Sequence, residues 1–142
     1  AAAREGLSRA GGDARRLVYY GESLGCAVAL ETALRRPPAA IILDSPFAST
    51  VAMGKAVFPW LPSELLVRER YDNAAKAPEL TVPLLVLHSP QDDIIPYAMG
   101  QQVFAAAPEP KTFVATQGDH NEGFMDTPYW ASSIRDFLDP LL

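Results

Sequence analysis

Four short apolar runs recur along this chain: RLVYYG from Arg16, AAIILDS from Ala39, PLLVLHS from Pro83 and KTFVATQ from Lys111. Between consecutive runs lies enough chain for a helix, and the runs are continuous rather than alternating. Continuous apolar runs of this length predict strands covered on both faces, and strand, helix, strand at this spacing predicts right-handed crossovers. The expected architecture is an α/β fold, a parallel sheet of four strands with helices on both faces, formed as one domain over residues 1–142.

The punctuation agrees with that pattern. Residues Ala1 to Arg9 predict a helix stopped at Gly11-Gly12, and SLGCAVALETALRR predicts one that ends at Arg35-Arg36 before Pro37-Pro38. The connection between the second and third strands holds AMGKAVFPWLP and SELLVRERYDNAAK, and YAMGQQVFAAA bridges the third and fourth. After the last strand, Thr127 is expected to cap a helix with Pro128 at its first position, its apolar face made by Trp130, Ile134, Phe137, Leu138 and Leu141.

A net charge of −5 without a run of lysines or arginines leaves little to neutralise phosphates, so no nucleic-acid partner is expected. The single cysteine, Cys26, forms no internal disulfide and has no companion at metal-ligand spacing. No membrane span, metal or organic cofactor is indicated. The opening AAAREGLSRAGG is interrupted by Arg4, Glu5 and Arg9, unlike a signal peptide, which leaves a cytoplasmic location as the expectation.

In sheets of this kind, sites form outside the carboxyl ends of the strands. After the first strand comes Gly21-Glu22-Ser23-Leu24-Gly25, a G-x-S-x-G pattern that arises by chance in about one chain in twenty of this length. Its setting between a strand and a helix is the one a nucleophile elbow requires. A turn that sharp strains the serine backbone, and a side chain at Gly21 or Gly25 would collide with the neighbouring chain. The alternative is an ordinary tight turn with a serine near the helix start.

A serine hydroxyl needs a base, and the base an orienting acid. Both histidines stand at strand ends. His120, in the loop GDHNE after the fourth strand, is the better base, because that loop can fold back over the sheet; His88, inside the third, is expected to be structural. For the acid, Asp92 and Asp93 both remain open. Cys26 is expected to pack beneath the serine as an inert buried thiol.

YYGESLGCAVA, LHSPQDDIIP and GDHNE, in that order, resemble the C-terminal half of an alpha/beta-hydrolase, in which nucleophile, acid and histidine follow one another as Ser, Asp, His. The resemblance covers nearly the whole chain and is nearest to the small capless serine hydrolases that include the animal depalmitoylating enzymes. LDSPFASTVAMGKAVFPWLP supports that branch. In the family's acid loop, H-G-x-x-D-x-x-V-P, the acid falls on Asp92, the proline on Pro96, and Ser89 stands where the family has glycine.

The resemblance implies a serine hydrolase of carboxylic esters or thioesters acting through an acyl-enzyme. Ser23 is the nucleophile, His120 the base, Asp92 its orienting acid, and the Leu24 amide an oxyanion donor; the partner is a small ester or acyl substrate. Phe47, Phe58 and Trp60 are candidates for an acyl pocket, against the plainer reading that they are core. A prolyl-oligopeptidase-like peptidase and a non-catalytic or truncated fragment are the alternatives. The family's earlier strands, and the turn that supplies a second oxyanion amide, have no match here, and one lost donor costs about 10²–10³ in turnover. The strand LVYYG would then lie at a sheet edge, covered by a missing N-terminal half or by a second copy.

Overall fold

The structure, a computed structural model, describes residues 16–57 and 72–142, with side chains described except at 54–57. The helix expected over Ala1 to Arg9, and the candidates Phe58 and Trp60, lie outside the described residues. In chain order the elements are β1 (Val18–Glu22), α1 (Gly25–Arg35), β2 (Ala40–Asp44), α2 (Thr50–Val57), α3 (Asn73–Lys76), β3 (Leu84–His88), α4 (Tyr97–Ala106), β4 (Lys111–Ala115), α5 (Gly123–Asp126) and α6 (Trp130–Leu138).

The four strands pair in parallel in the order of the sequence. Along β2 and β3 successive side chains face opposite ways, and both faces are filled. Ile41, Leu43, Leu84 and Val86 pack against Cys26, Ala29, Leu30 and Ala33 of α1 and Val103 of α4. Ile42, Leu85 and Leu87 pack against Trp130, Ile134, Phe137 and Leu138 of α6. A sheet wound in one direction with right-handed crossovers sets its connecting helices on one side. The other side is covered because α6, which leads to no further strand among the described residues, folds back across it.

Two expectations are corrected. β1 and β4 are not covered on both faces: Tyr20 is 44% exposed, and Glu22, Thr112 and Ala115 are exposed, whereas every residue of β3 is buried. The reason is position, since among the described residues each has one neighbour, β2 for β1 and β3 for β4. The C-terminal helix begins at Trp130 rather than at Pro128, with Tyr129 in the capping position. The Thr127 hydroxyl is engaged elsewhere, accepting the Gln117 N–H at 2.8 Å, so it ties the helix entry to the end of β4 instead of capping α6. Leu141 falls in a 3₁₀ turn beyond α6 and is 38% exposed, outside the packed face.

Leu30, fully buried between α1 and the sheet, tests the packing. Leu30→Ala is expected to cost about 2–5 kcal/mol by urea denaturation, whereas Leu141→Ala should stay within about 0.5 kcal/mol.

Candidate functional site

The ladder of the parallel sheet does not stop where the strands do. The Ser23 N–H donates to the Asp44 carbonyl at 2.9 Å, the Ser45 N–H to Leu87 at 2.7 Å, and the Thr116 N–H to His88 at 2.9 Å. Ser23 is thus still held by β2 while its backbone has turned into the left-handed region, at φ 54°. That conformation is strained for a residue with a side chain. Leu24 is already helical, and the Cys26 N–H closes the turn on the Ser23 carbonyl at 3.1 Å. Among the described residues the Leu24 N–H has no acceptor, which leaves a free donor beside Ser23 at the positive end of α1.

The two glycines are not equivalent. A side chain at Gly21 would meet the Gly25 carbonyl oxygen at 2.6 Å and the Cys26 Cα at 2.8 Å, so helix and strand approach too closely for anything larger. A side chain at Gly25 would meet nothing within 4 Å, so the collision expected there is absent. Gly25 opens α1 facing away from the strand, and only Gly21 is required by space. Cys26, fully buried, has its thiol against the carbonyls of Gly21 and Asp44, each at 3.2 Å. Burial, reinforced by the Asp44 charge, pushes this thiol well up, away from the reactive thiolate.

At the other end of the sheet's carboxyl edge, Asp92 and His120 meet. The His120 Nδ1–H donates to Asp92 Oδ2 at 2.9 Å, which leaves Nε2 bare and able to take a proton. The Asp92 side chain is fully buried. Burial alone would raise its carboxyl. Hydrogen bonds from His88, His120 and the Ile95 and Ile94 amides outweigh that and hold it well below the usual carboxylate range. Asp93 does not compete for the imidazole: its carboxylate accepts the His120 backbone N–H at 3.1 Å. Two adjacent aspartates therefore hold one histidine, one by the ring and the other by the main chain.

His88 is fully buried. Its Nε2 lies 3.0 Å from the Ile95 carbonyl and 3.3 Å from Asp92 Oδ2, both acceptors, so Nε2 carries the proton. Its Nδ1 has no partner and rests against Gly100, where any side chain would overlap the ring.

A cleft joins these elements, with Glu22, Asp44, Ser89, His120, Phe124 and Trp130 on its walls. Ser23 follows Glu22 directly, although no hydrogen bond joins its hydroxyl to His120. Phe47 is 4% exposed in a cluster with Ala27 and Ile95, and so faces the core rather than this cleft. The aromatic walls are instead Phe124 and Trp130, whose rings lie edge to face at 6.1 Å.

Asp44 escaped the sequence reading. Its carboxylate accepts the Tyr20 hydroxyl at 2.8 Å, the Ser45 hydroxyl at 3.0 Å and the Trp130 indole N–H at 3.4 Å, while its carbonyl holds Ser23. Burial and this carboxylate push the Tyr20 phenol far up, keeping it a donor. The available signal was a carboxylate directly after four buried residues at a strand's carboxyl end. Among the described residues, no group of three or more His, Cys, Asp or Glu is placed to hold a metal ion, and no helix is long and apolar enough to cross a membrane.

No family model matches the chain. An uncharacterized protein of Mycobacterium tuberculosis is 40% identical over 140 residues, covering 96% of this chain and 50% of that protein. The human alpha/beta hydrolase domain-containing protein 17B is 27% identical over 107 residues, covering 75% of this chain and 36% of its own length. Among solved structures, an acetyl xylan esterase from Paenibacillus superposes with a TM-score of 0.78 at 19% identity, covering 99% of this chain and 50% of the esterase. The chain thus spans about half the length, or less, of these curated relatives.

Two measurements follow from the geometry. Gly21→Ala is expected to destabilise by about 2 kcal/mol or more, while Gly25→Ala stays within about 1 kcal/mol, both read from denaturation midpoints. Because the Asp92 carboxyl titrates lower folded than unfolded, its stabilisation is complete above the unfolded value and lost as pH falls below about 4. Between about pH 6 and 3 the stability of the wild type should therefore fall more steeply than that of Asp92→Asn.

Proposed function

The chain belongs to the alpha/beta-hydrolase superfamily, and from that premise we propose that it carries the nucleophile, acid and base of a serine hydrolase acting on carboxylic esters or thioesters. The observation that carries this reading is the 2.9 Å hydrogen bond from His120 Nδ1 to the buried Asp92 carboxylate, with a positive-φ serine on a strand–helix turn at the same end of the sheet.

In the proposed reaction the Ser23 hydroxyl attacks the acyl carbon while His120 Nε2 takes its proton. Asp92 holds the ring with Nε2 outward and stabilises the imidazolium. The negative oxygen of the tetrahedral intermediate is met by the Leu24 N–H, the one oxyanion donor this reading assigns. His120 then gives its proton to the departing alcohol or thiol, the C–O or C–S bond breaks, and an acyl-Ser23 ester remains. Water, deprotonated by His120, releases the acid and restores Ser23. The likeness to the alpha/beta hydrolase domain-containing protein 17B supports the depalmitoylase-like branch that the sequence resembles. The exposed edge of β1 is, on this reading, a surface for a second copy or for preceding chain.

A fluorophosphonate probe is expected to label the wild type and to leave Ser23→Ala unlabelled. Labelling that survives Ser23→Ala would overturn the reading, as would failure of the folded wild type to label. Asp92→Asn should lower turnover on the order of 10³–10⁴-fold on nitrophenyl esters. Faster cleavage of aminoacyl amides than of esters and acyl thioesters would move the assignment to a peptidase.

A further inference from the structure

Ser89, which stands where the acid loop of the family that the sequence resembles has glycine, is 2% exposed. Its hydroxyl donates to the Gly118 carbonyl at 2.6 Å, a contact spanning 29 residues, from the loop that carries Asp92 to the loop that carries His120. The same oxygen accepts the Gln91 N–H at 3.1 Å, and the Ser89 carbonyl accepts the Asp92 N–H at 3.1 Å. One residue thus shapes the turn that presents the acid and grips the segment that presents the base. A hydroxyl has one proton, and of its two acceptors, the Gly118 carbonyl at 2.6 Å and Gln91 Oε1 at 3.1 Å, the shorter distance assigns it to Gly118.

The grip falls where it can control His120. Thr116 is held by the His88 carbonyl, Gln117 by Thr127, and the His120 amide by Asp93. Between them Gly118 has a left-handed backbone, φ 86°, that any side chain would drive into Asp126. Its peptide is fixed on one side by that packing, and on the carbonyl side by Ser89. Asp93, which also reaches the histidine loop, is exposed to water and so makes a weaker tie than the buried hydroxyl.

We propose that Ser89 is a positioning residue that locks the acid loop to the histidine loop and so fixes His120 in the Nδ1-protonated form facing Asp92. This rests on the hydrolase reading for its kinetic consequence, though not for its structural one. Loss of the hydroxyl leaves the Gly118 carbonyl without its donor. The peptide is then free to rotate, and His120, two residues on, loses its register with Asp92.

The test compares the wild type with Ser89→Ala and with Ser89→Gly, both of which remove the hydroxyl. Long-range ¹⁵N–¹H correlation of the histidine rings reads both tautomers in one spectrum, since the chain has two histidines. In the wild type His120 is expected as the Nδ1–H form and His88 as the Nε2–H form. In both variants His120 should become a mixture while His88 keeps its form, and kcat should fall about tenfold or more with KM little changed. A His120 tautomer unchanged in both variants would overturn the proposal even if they melt earlier. Equal disturbance of both histidines would also overturn it, by marking a general loosening of the fold. If the wild type hydrolyses nothing, the ring spectra still decide the role of Ser89, so its failure and that of the hydrolase reading are told apart.

Discussion

The candidate site depends on one backbone hydrogen bond, from the Ser23 N–H to the Asp44 carbonyl. It extends the β1–β2 ladder one residue past the strand, so that the chain must leave the sheet at Ser23 rather than drift away from it. With its N–H held by β2 and the Cys26 N–H closing on its carbonyl, Ser23 has little freedom except the left-handed conformation it adopts. The cost of that conformation, of order 1–3 kcal/mol, is borne by the ladder and by the packing of α1. Gly21 permits the approach and Cys26 fills the space beneath it.

The same residue that holds the serine by its main chain organises the wall of the cleft by its side chain. Asp44 gathers Tyr20, Ser45 and Trp130, and Trp130 is the first residue of α6. The helix that covers the second face of the sheet is thereby anchored at the carboxyl end of β2. Helix placement and site geometry are coupled through a single carboxylate, and the exposed strand β1 is drawn into that coupling by its tyrosine.

What could be read in the sequence was what depends on local pattern. Four continuous apolar runs became four parallel strands, but only the inner pair, β2 and β3, has the burial on both faces that such runs predict. The covering of β1 was misread because YYG looks like any buried run, and only its place at the edge exposes Tyr20. Thr127 and Pro128 carried the signs of a helix start, but the hydroxyl found a tertiary partner in Gln117, and local capping lost to it. Gly25 was expected to be sterically required by symmetry with Gly21, a symmetry that the strand and helix do not share. Local pattern left Asp92 and Asp93 open and only the resemblance put the acid on Asp92, because the sequence does not say that a histidine offers two donors, its ring and its amide.

Asp92 shows why the two loops need so many ties. A buried carboxylate loses its hydration and is tolerated only when its oxygens are met by donors. Here Oδ1 takes the amides of Ile94 and Ile95, and Oδ2 takes His120, with His88 at longer range. Three of those donors come from its own loop or from the strand before it, so they are fixed whenever β3 and its following turn are formed. The fourth, His120, comes from 28 residues away, on a loop whose own ties are the Thr116 N–H to the His88 carbonyl, the Gln117 N–H to the Thr127 hydroxyl and the Asn121 and Glu122 amides to Asp119. Two further ties join those loops independently of that bond: the His120 N–H to the Asp93 carboxylate, and the Ser89 hydroxyl to the Gly118 carbonyl. The serine at position 89 makes its tie through a buried side-chain hydroxyl, where a glycine has no atom to offer.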